Sequence, residues 1–114
     1  MKSAVTIKEN WEFRRLYQHG KSAVTPAMVV YCRRNKAGAS RMGLTVSTKL
    51  GKAVVRNRIK RRLREVYRLS LPQLKPGYDV VLVGRARALD LPFPRLMDTF
   101  QRSCKKLAIW EERP

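Results

Sequence analysis

The stretch AVVRNRIKRRLREVYRLS, Ala53–Ser70, restricts the fold more than any other part of the chain. Val55, Ile59, Leu63 and Val66 recur at spacings of four, four and three, which puts them on one stripe of an α-helix that needs a core to face. Around that stripe stand seven Arg or Lys residues, with Lys52 just upstream, and a single acid, Glu65. Arg56, Lys60, Arg64 and Arg68 share one row, Arg61 lies beside it, and Arg58 and Arg62 flank the stripe on its other side. Each like-charged i,i+4 pair costs roughly 0.2–0.5 kcal/mol. Arg56 and Arg58 also stand near the helix start, where the dipole disfavours cations. A merely solvated face would mix signs. A helix arranged this way is completed by an anion that runs along it, such as a chain of phosphates.

The rest of the composition extends that argument. The 114 residues hold 26 Lys plus Arg against 8 Asp plus Glu, a net charge of +18. A small domain needs a net charge of only about 2–8 for solubility. The excess implies a polyanionic partner, nucleic acid ahead of an anionic membrane. Hydrophobic residues make up 44% of the chain, enough for a core, so residues 1–114 are expected to form one domain rather than a disordered basic tail. No apolar run approaches the ~18 residues of a membrane span. The opening MKSAVTIKENWEF has no apolar signal core, so a cytoplasmic location is expected. Cys32 and Cys104 are expected to be buried thiols, neither a disulfide nor a metal site.

Elsewhere, Thr6 and Glu9 have capping-box spacing, which predicts a helix over IKENWEFRRLYQH with a left-handed exit at Gly20. His19 falls in its last turn, where the dipole suits it, and reads as structural. Pro26 divides a short strand from a longer one, Ala27 to Arg33. Ala27, Val29, Tyr31 and Arg33 would face one side of that strand, and Met28, Val30 and Cys32 the other. NKAGAS is a turn, RMGLTVS a strand and TKLGKA a loop. After the basic helix, YDVVLVGRA reads as a central strand, and a last helix from near Pro94 carries Leu96, Phe100, Cys104 and Leu107. The element order is α-β-β-β-α-β-α.

Phe13 and Tyr17 lie i,i+4 on the first helix, and Tyr31 on the longer strand. If that helix crosses the sheet, all three rings line one groove. Interleaved with Arg14, Arg15, Lys21 and Arg33, they would form a stacking platform for single strands. From pattern alone, the reading of Phe13 and Tyr17 as ordinary core positions stands ahead of the groove. Catalytic constellations are not evident: the eight acids form no spaced cluster for two-metal hydrolysis, and one histidine supports no nucleophilic triad. No metal-ligand spacing is present either.

The stretch RMGLTVSTKLGKAVVRNRIKRRLRE resembles the bacterial ribonuclease P protein component, whose hallmark is an Arg-Asn-Arg box opening a basic helix after a strand and loop. The box here is Arg56-Asn57-Arg58, followed by Ile59-Lys60-Arg61, and FRRLYQHGKS resembles the family's first helix. Thr48 departs from the pattern, where the family usually has Lys. The resemblance implies a single-domain α+β sandwich, similar to a ribosomal-protein domain, with a mixed sheet and a left-handed β-α-β crossover around the basic helix. It implies an accessory subunit, one protein per RNA. The catalytic RNA would hold magnesium and cut the 5′ leader from precursor tRNA, and the protein would need no cofactor of its own. Arg56, Asn57, Arg58, Lys60, Arg61 and Arg64 would then contact the catalytic RNA, with Lys49 in the loop leading to them. Phe13, Tyr17 and Tyr31 would take the single-stranded leader. A ribosomal or other structural RNA-binding protein is the main alternative, since it needs the charge but no aromatic groove. A self-sufficient nuclease would need the carboxylates that are not clustered here.

Overall fold

In a computed structural model, which describes residues 5–112, five strands form one mixed sheet in the order β1-β4-β5-β3-β2. The strands are β1 (Val5–Thr6), β2 (Lys21–Val24), β3 (Met28–Arg34), β4 (Arg41–Val46) and β5 (Tyr78–Gly84). Three helices accompany them: α1 (Asn10–His19), α2 (Ala53–Ser70) and α3 (Phe93–Lys106). The chain is thus an α+β sandwich. β5 occupies the centre, parallel to β4 and antiparallel to β3, and its middle residues Val80, Val81 and Leu82 are buried. That double coverage explains its nearly unbroken apolar sequence. α2 carries the chain from β4 to its parallel neighbour β5.

The two faces of the sheet are covered unequally. Met28, Val30, Cys32, Met42, Val46, Val80 and Leu82 point to one face and bury against α2 and α3. The partners are Ile59, Leu63, Val66 and Tyr67 from α2, and Leu96, Phe100 and Cys104 from α3. The stripe read from Ala53–Ser70 therefore packs as expected, with Val55 at its half-buried start. Both cysteines are buried and free, and burial raises both thiols above their ordinary pKa. Among the described residues, α1 alone lies on the opposite face, and Ile7, Leu16 and Val81 form the buried cluster there.

Two expectations at the first helix need correction. The helix begins at Asn10, and Glu9 occupies its cap position without a side-chain capping bond. Thr6, in β1, instead pairs with Met42 of β4, and the Ile7 amide donates to the Met42 carbonyl, so the sheet edge takes the threonine that the capping box would have used. Gly20 does not leave in the left-handed region; its φ of −81° and ψ of 164° are extended. Its requirement is space: a Cβ there would lie 2.6 Å from the Leu16 carbonyl oxygen and 2.9 Å from that of Cys32. The longer strand begins one residue later than expected, at Met28, with Ala27 buried just before it.

Candidate nucleic-acid interface

The open sheet face is built by register. Arg41, Gly43 and Thr45 of β4 stand opposite Asp79, Val81 and Val83 of β5, and these in turn oppose Arg33, Tyr31 and Val29 of β3. α1 crosses this row. Phe13 approaches Gly43 so closely that a Cβ there would sit 2.8 Å from its ring. The missing side chain is what lets the aromatic flank of α1 settle beside β4. Phe13 and Tyr17 then lie with ring centroids 6.4 Å apart, and Tyr17 meets Tyr31 edge-on at 4.9 Å. The three rings are therefore one cluster, as the sequence suggested, and neither fully buried nor free. Tyr17 remains 39% exposed. Burial, and secondarily the neighbouring Tyr31, raises its pKa, so at neutral pH it presents an uncharged ring.

An open groove runs along this flank, bounded by Asn10, Phe13, Arg14, Tyr17, Leu44 and Thr45. Tyr31 does not line it directly and joins it through Tyr17. Asn10, Leu44 and Thr45 were not anticipated as part of it. The alternation of β4 places Thr45 on the same face as Gly43, which was the available signal. Of the cations expected to interleave with the rings, Arg14 lines the groove, whereas Arg15 and Arg33 border a separate recess on the other flank of α1.

The second surface is α2. Its cap residue is Lys52, with no side-chain capping bond, and its first turn holds no acid. Arg58, Lys60, Arg61 and Arg64 have no acidic partner among the described residues. Arg56 folds back so that its Nε donates to the Gly51 carbonyl at 3.2 Å. Asn57 is exposed. Two cations of the run are otherwise engaged. Arg68 forms a double hydrogen bond with Glu65 at 2.6 and 2.8 Å. Arg62 donates to the Ala88 and Leu91 carbonyls and so ties α2 to the loop before α3. The free charge is thereby concentrated in the first two-thirds of the helix.

The two surfaces meet around one strand. β1 pairs only with Arg41 and Met42, so beyond Met42 the outer edge of β4 has no strand partner among the described residues. Thr45 borders the groove, Lys49 stands exposed on the short turn Thr48–Leu50 that follows, and α2 starts at Ala53. Along the chain, the end of β4 that borders the groove leads through Lys49 directly into the start of α2.

The fold and its two surfaces define a class: a small, strongly basic α+β sandwich with a half-open sheet face and an Arg-Asn-Arg start to its crossover helix. The Ribonuclease P family model matches residues 1–108. The chain belongs to the ribonuclease P protein component family. It is 42% identical to the ribonuclease P protein component of Natranaerobius thermophilus over 98% of this chain and 97% of that protein. Identity to the Symbiobacterium thermophilum protein is 46% over 84% of each. Among solved structures, the Staphylococcus aureus RNase P protein superposes with a TM-score of 0.82 at 32% identity, covering 95% of this chain and 99% of that one. The Thermotoga maritima RNase P protein gives 0.76 at 28% identity, covering 85% and 92%. No helix among the described residues is long and apolar enough to cross a membrane.

Proposed function

We propose that this chain is the RNA-binding subunit of a cytoplasmic ribonuclease P ribonucleoprotein, one protein per catalytic RNA, and that it assists removal of the 5′ leader from precursor tRNA. The observation that carries the reading is an aromatic groove bordered by β4 that is followed, after the short turn holding Lys49, by a basic helix face whose first turn has no acid. Bases of a single strand stack on Phe13 and Tyr17, because any base has a π-face and stacking tolerates sequence, and Tyr31 takes part in leader binding by holding the Tyr17 ring edge-on. Arg14, which lines the same groove, takes the strand's phosphates in this reading. Arg56, Asn57, Arg58, Lys60, Arg61 and Arg64, with Lys49 on the approach, meet the phosphates of the catalytic RNA. Arginine suits this role because its planar fork binds phosphate in two places at once.

The chemistry itself is assigned to the RNA, together with its magnesium. Six of the protein's eight carboxylates are held in ion pairs. Glu12 and Asp79 hold Arg41, Glu65 holds Arg68, and Asp90, Asp98 and Glu112 pair with Arg87, Arg102 and Lys105. Among the described residues no three His, Cys, Asp or Glu side chains are grouped as metal ligands would be. The protein's part is electrostatic and positional: it offsets repulsion between two RNAs and holds the leader.

The test is reconstitution with precursor tRNA. Purified, RNA-free protein is expected to leave the substrate intact, and adding the catalytic RNA is expected to give cleavage at magnesium concentrations where the RNA alone is slow. Cutting by the protein alone, or no gain from adding it, would contradict the reading.

A further inference from the structure

The first helix carries aromatic rings on both flanks. Trp11 is two positions from Phe13, which on a helix turns it well away from the groove described above. It is 55% exposed. Beside it is a recess of about 380 Å³, within the size range of small-ligand sites. Five cations reach into it: Arg15, Arg33, Arg34, Lys36 and Arg41.

The recess also contains two acids, Glu12 and Asp79, and these decide its character. Arg41 takes both. Its Nε and Nη2 donate to Asp79 at 2.9 and 2.7 Å, and Nη2 also lies 2.7 Å from Glu12. Arg15, Arg34 and Lys36 form no ion pair among the described residues, and Arg33, though its charge acts on Asp79 across the strand pair, makes no direct ion pair with it. The rim is held in shape by Asn35. Its side-chain oxygen accepts from the amides of Ala37 and Gly38, and its side-chain nitrogen donates to the Ala39 carbonyl and to Asp79. The turn that presents Arg34 and Lys36 is thus fixed to the sheet. A solvated rim would have paired its cations with the nearby acids and would not present a bare indole beside them.

We propose that this recess is a second RNA subsite, which stacks one base of a single-stranded segment on Trp11 and holds the flanking phosphates on Arg15, Arg33, Arg34 and Lys36. An exposed indole with cations around it suits a nucleotide, since the π-face takes the base and the cations take the charge. An acidic peptide would use the cations and leave the indole idle. Duplex RNA keeps its bases stacked internally and presents none to Trp11. The proposal rests on the chain being an RNA-binding subunit, but not on the Phe13–Tyr17 groove.

Trp11 reports on itself. The chain has two tryptophans, so Trp110→Phe leaves Trp11 as the sole indole. If that change impairs folding, the same signal is the difference between wild type and Trp11→Ala. Titration of the full-length protein with single-stranded oligoadenylate is expected to quench Trp11 saturably, and duplex RNA or polyglutamate to leave it bright. Trp11→Ala should weaken binding of a labelled oligoadenylate by at least about fivefold, the lower end of a base–aromatic stack, with the salt slope unchanged. Arg34→Ala and Lys36→Ala should each flatten that slope by about 0.7. Quenching should survive Tyr17→Ala. Binding without quenching, equal quenching by polyglutamate, or quenching lost in Tyr17→Ala would overturn the subsite alone. A wild-type protein that binds no single-stranded RNA would overturn both the subsite and the proposed function.

Discussion

One face of the sheet is closed and the other is left ajar. Two helices, of 18 and 14 residues, cover the closed face and bury Tyr67, Phe100, Leu63 and Leu96 completely or nearly so. A single helix of 10 residues crosses the open face and fully buries one of its own residues, Leu16. Both faces carry aromatic rings, but Phe100 has no exposed surface and Tyr17 has 39%. The closed face supplies stability. The open face can therefore keep rings half-exposed without the fold depending on them. Charge divides similarly, since α2 turns its apolar stripe to the closed side and its unpaired cations outward.

The largest expected effect separates the faces outright. Phe100→Ala removes a fully buried ring that meets Tyr67 edge-on at 6.4 Å, and should destabilise the protein by about 3–5 kcal/mol in denaturant titration. Tyr17→Ala should cost under about 1 kcal/mol, because its ring is partly solvated already. Equal losses would abolish the distinction between the faces.

Gly43→Ala sharpens it. A methyl group 2.8 Å from the Phe13 ring must push that ring aside, at roughly 1–3 kcal/mol for overpacking. Thermal melting should show a moderate loss, and binding of the leader should fall while binding of the catalytic RNA holds.

The seat of α1 also has a charge component that depends on pH. Burial pushes the Asp79 carboxyl up, but hydrogen bonds from Arg41 and Asn35, and the charges of Arg41 and Arg33, outweigh it and hold its pKa below the ordinary 3.8. A depressed carboxylate contributes stability that is complete above its ordinary value and is lost as the pH falls through its lower, folded one. Asp79→Asn should therefore cost about 1–2 kcal/mol at neutral pH, given that Arg41 is partly solvated, and should flatten the acid limb of the stability curve below about pH 4. An unchanged acid limb would detach Asp79 from the seating of α1.

On the basic helix, Arg58→Ala should leave stability within about 0.5 kcal/mol. It should lower affinity for the catalytic RNA and flatten the slope of log affinity against log salt by about one unit. A variant with the slope unchanged would mean that this side chain meets solvent and not phosphate.

What could be read from sequence follows the physics of each element. The bounds of α2 and its buried stripe were legible, because an amphipathic stripe and a charge row repeat over five turns. β5 was legible because only a central strand is apolar on both sides. The start of α1 was not. Thr6 and Glu9 satisfy a local capping rule, but the edge of β4 offers Thr6 and Ile7 a ladder that no local pattern records. The aromatic groove was half legible: i,i+4 spacing joins Phe13 to Tyr17, but Tyr31 joins them only through the sheet register. The division of Arg14 from Arg15 and Arg33 between two flanks was hidden until α1 was seated on the sheet. The roles of Arg62 and Arg68 were hidden too, since nothing in a run of cations marks which ones bond to the loop before α3 or to Glu65.

The most direct test of the open face as the leader site is the affinity of the reconstituted ribonucleoprotein for precursor tRNA and for mature tRNA, measured with Tyr17→Ala and Tyr31→Ala. Tyr17→Ala should weaken precursor binding by about 1–3 kcal/mol for one lost stack, Tyr31→Ala should weaken it less by loosening the Tyr17 ring, and both should leave mature tRNA, which has no leader, unaffected. Equal weakening for both ligands, or no weakening for either, would contradict the account and return the three rings to a structural role.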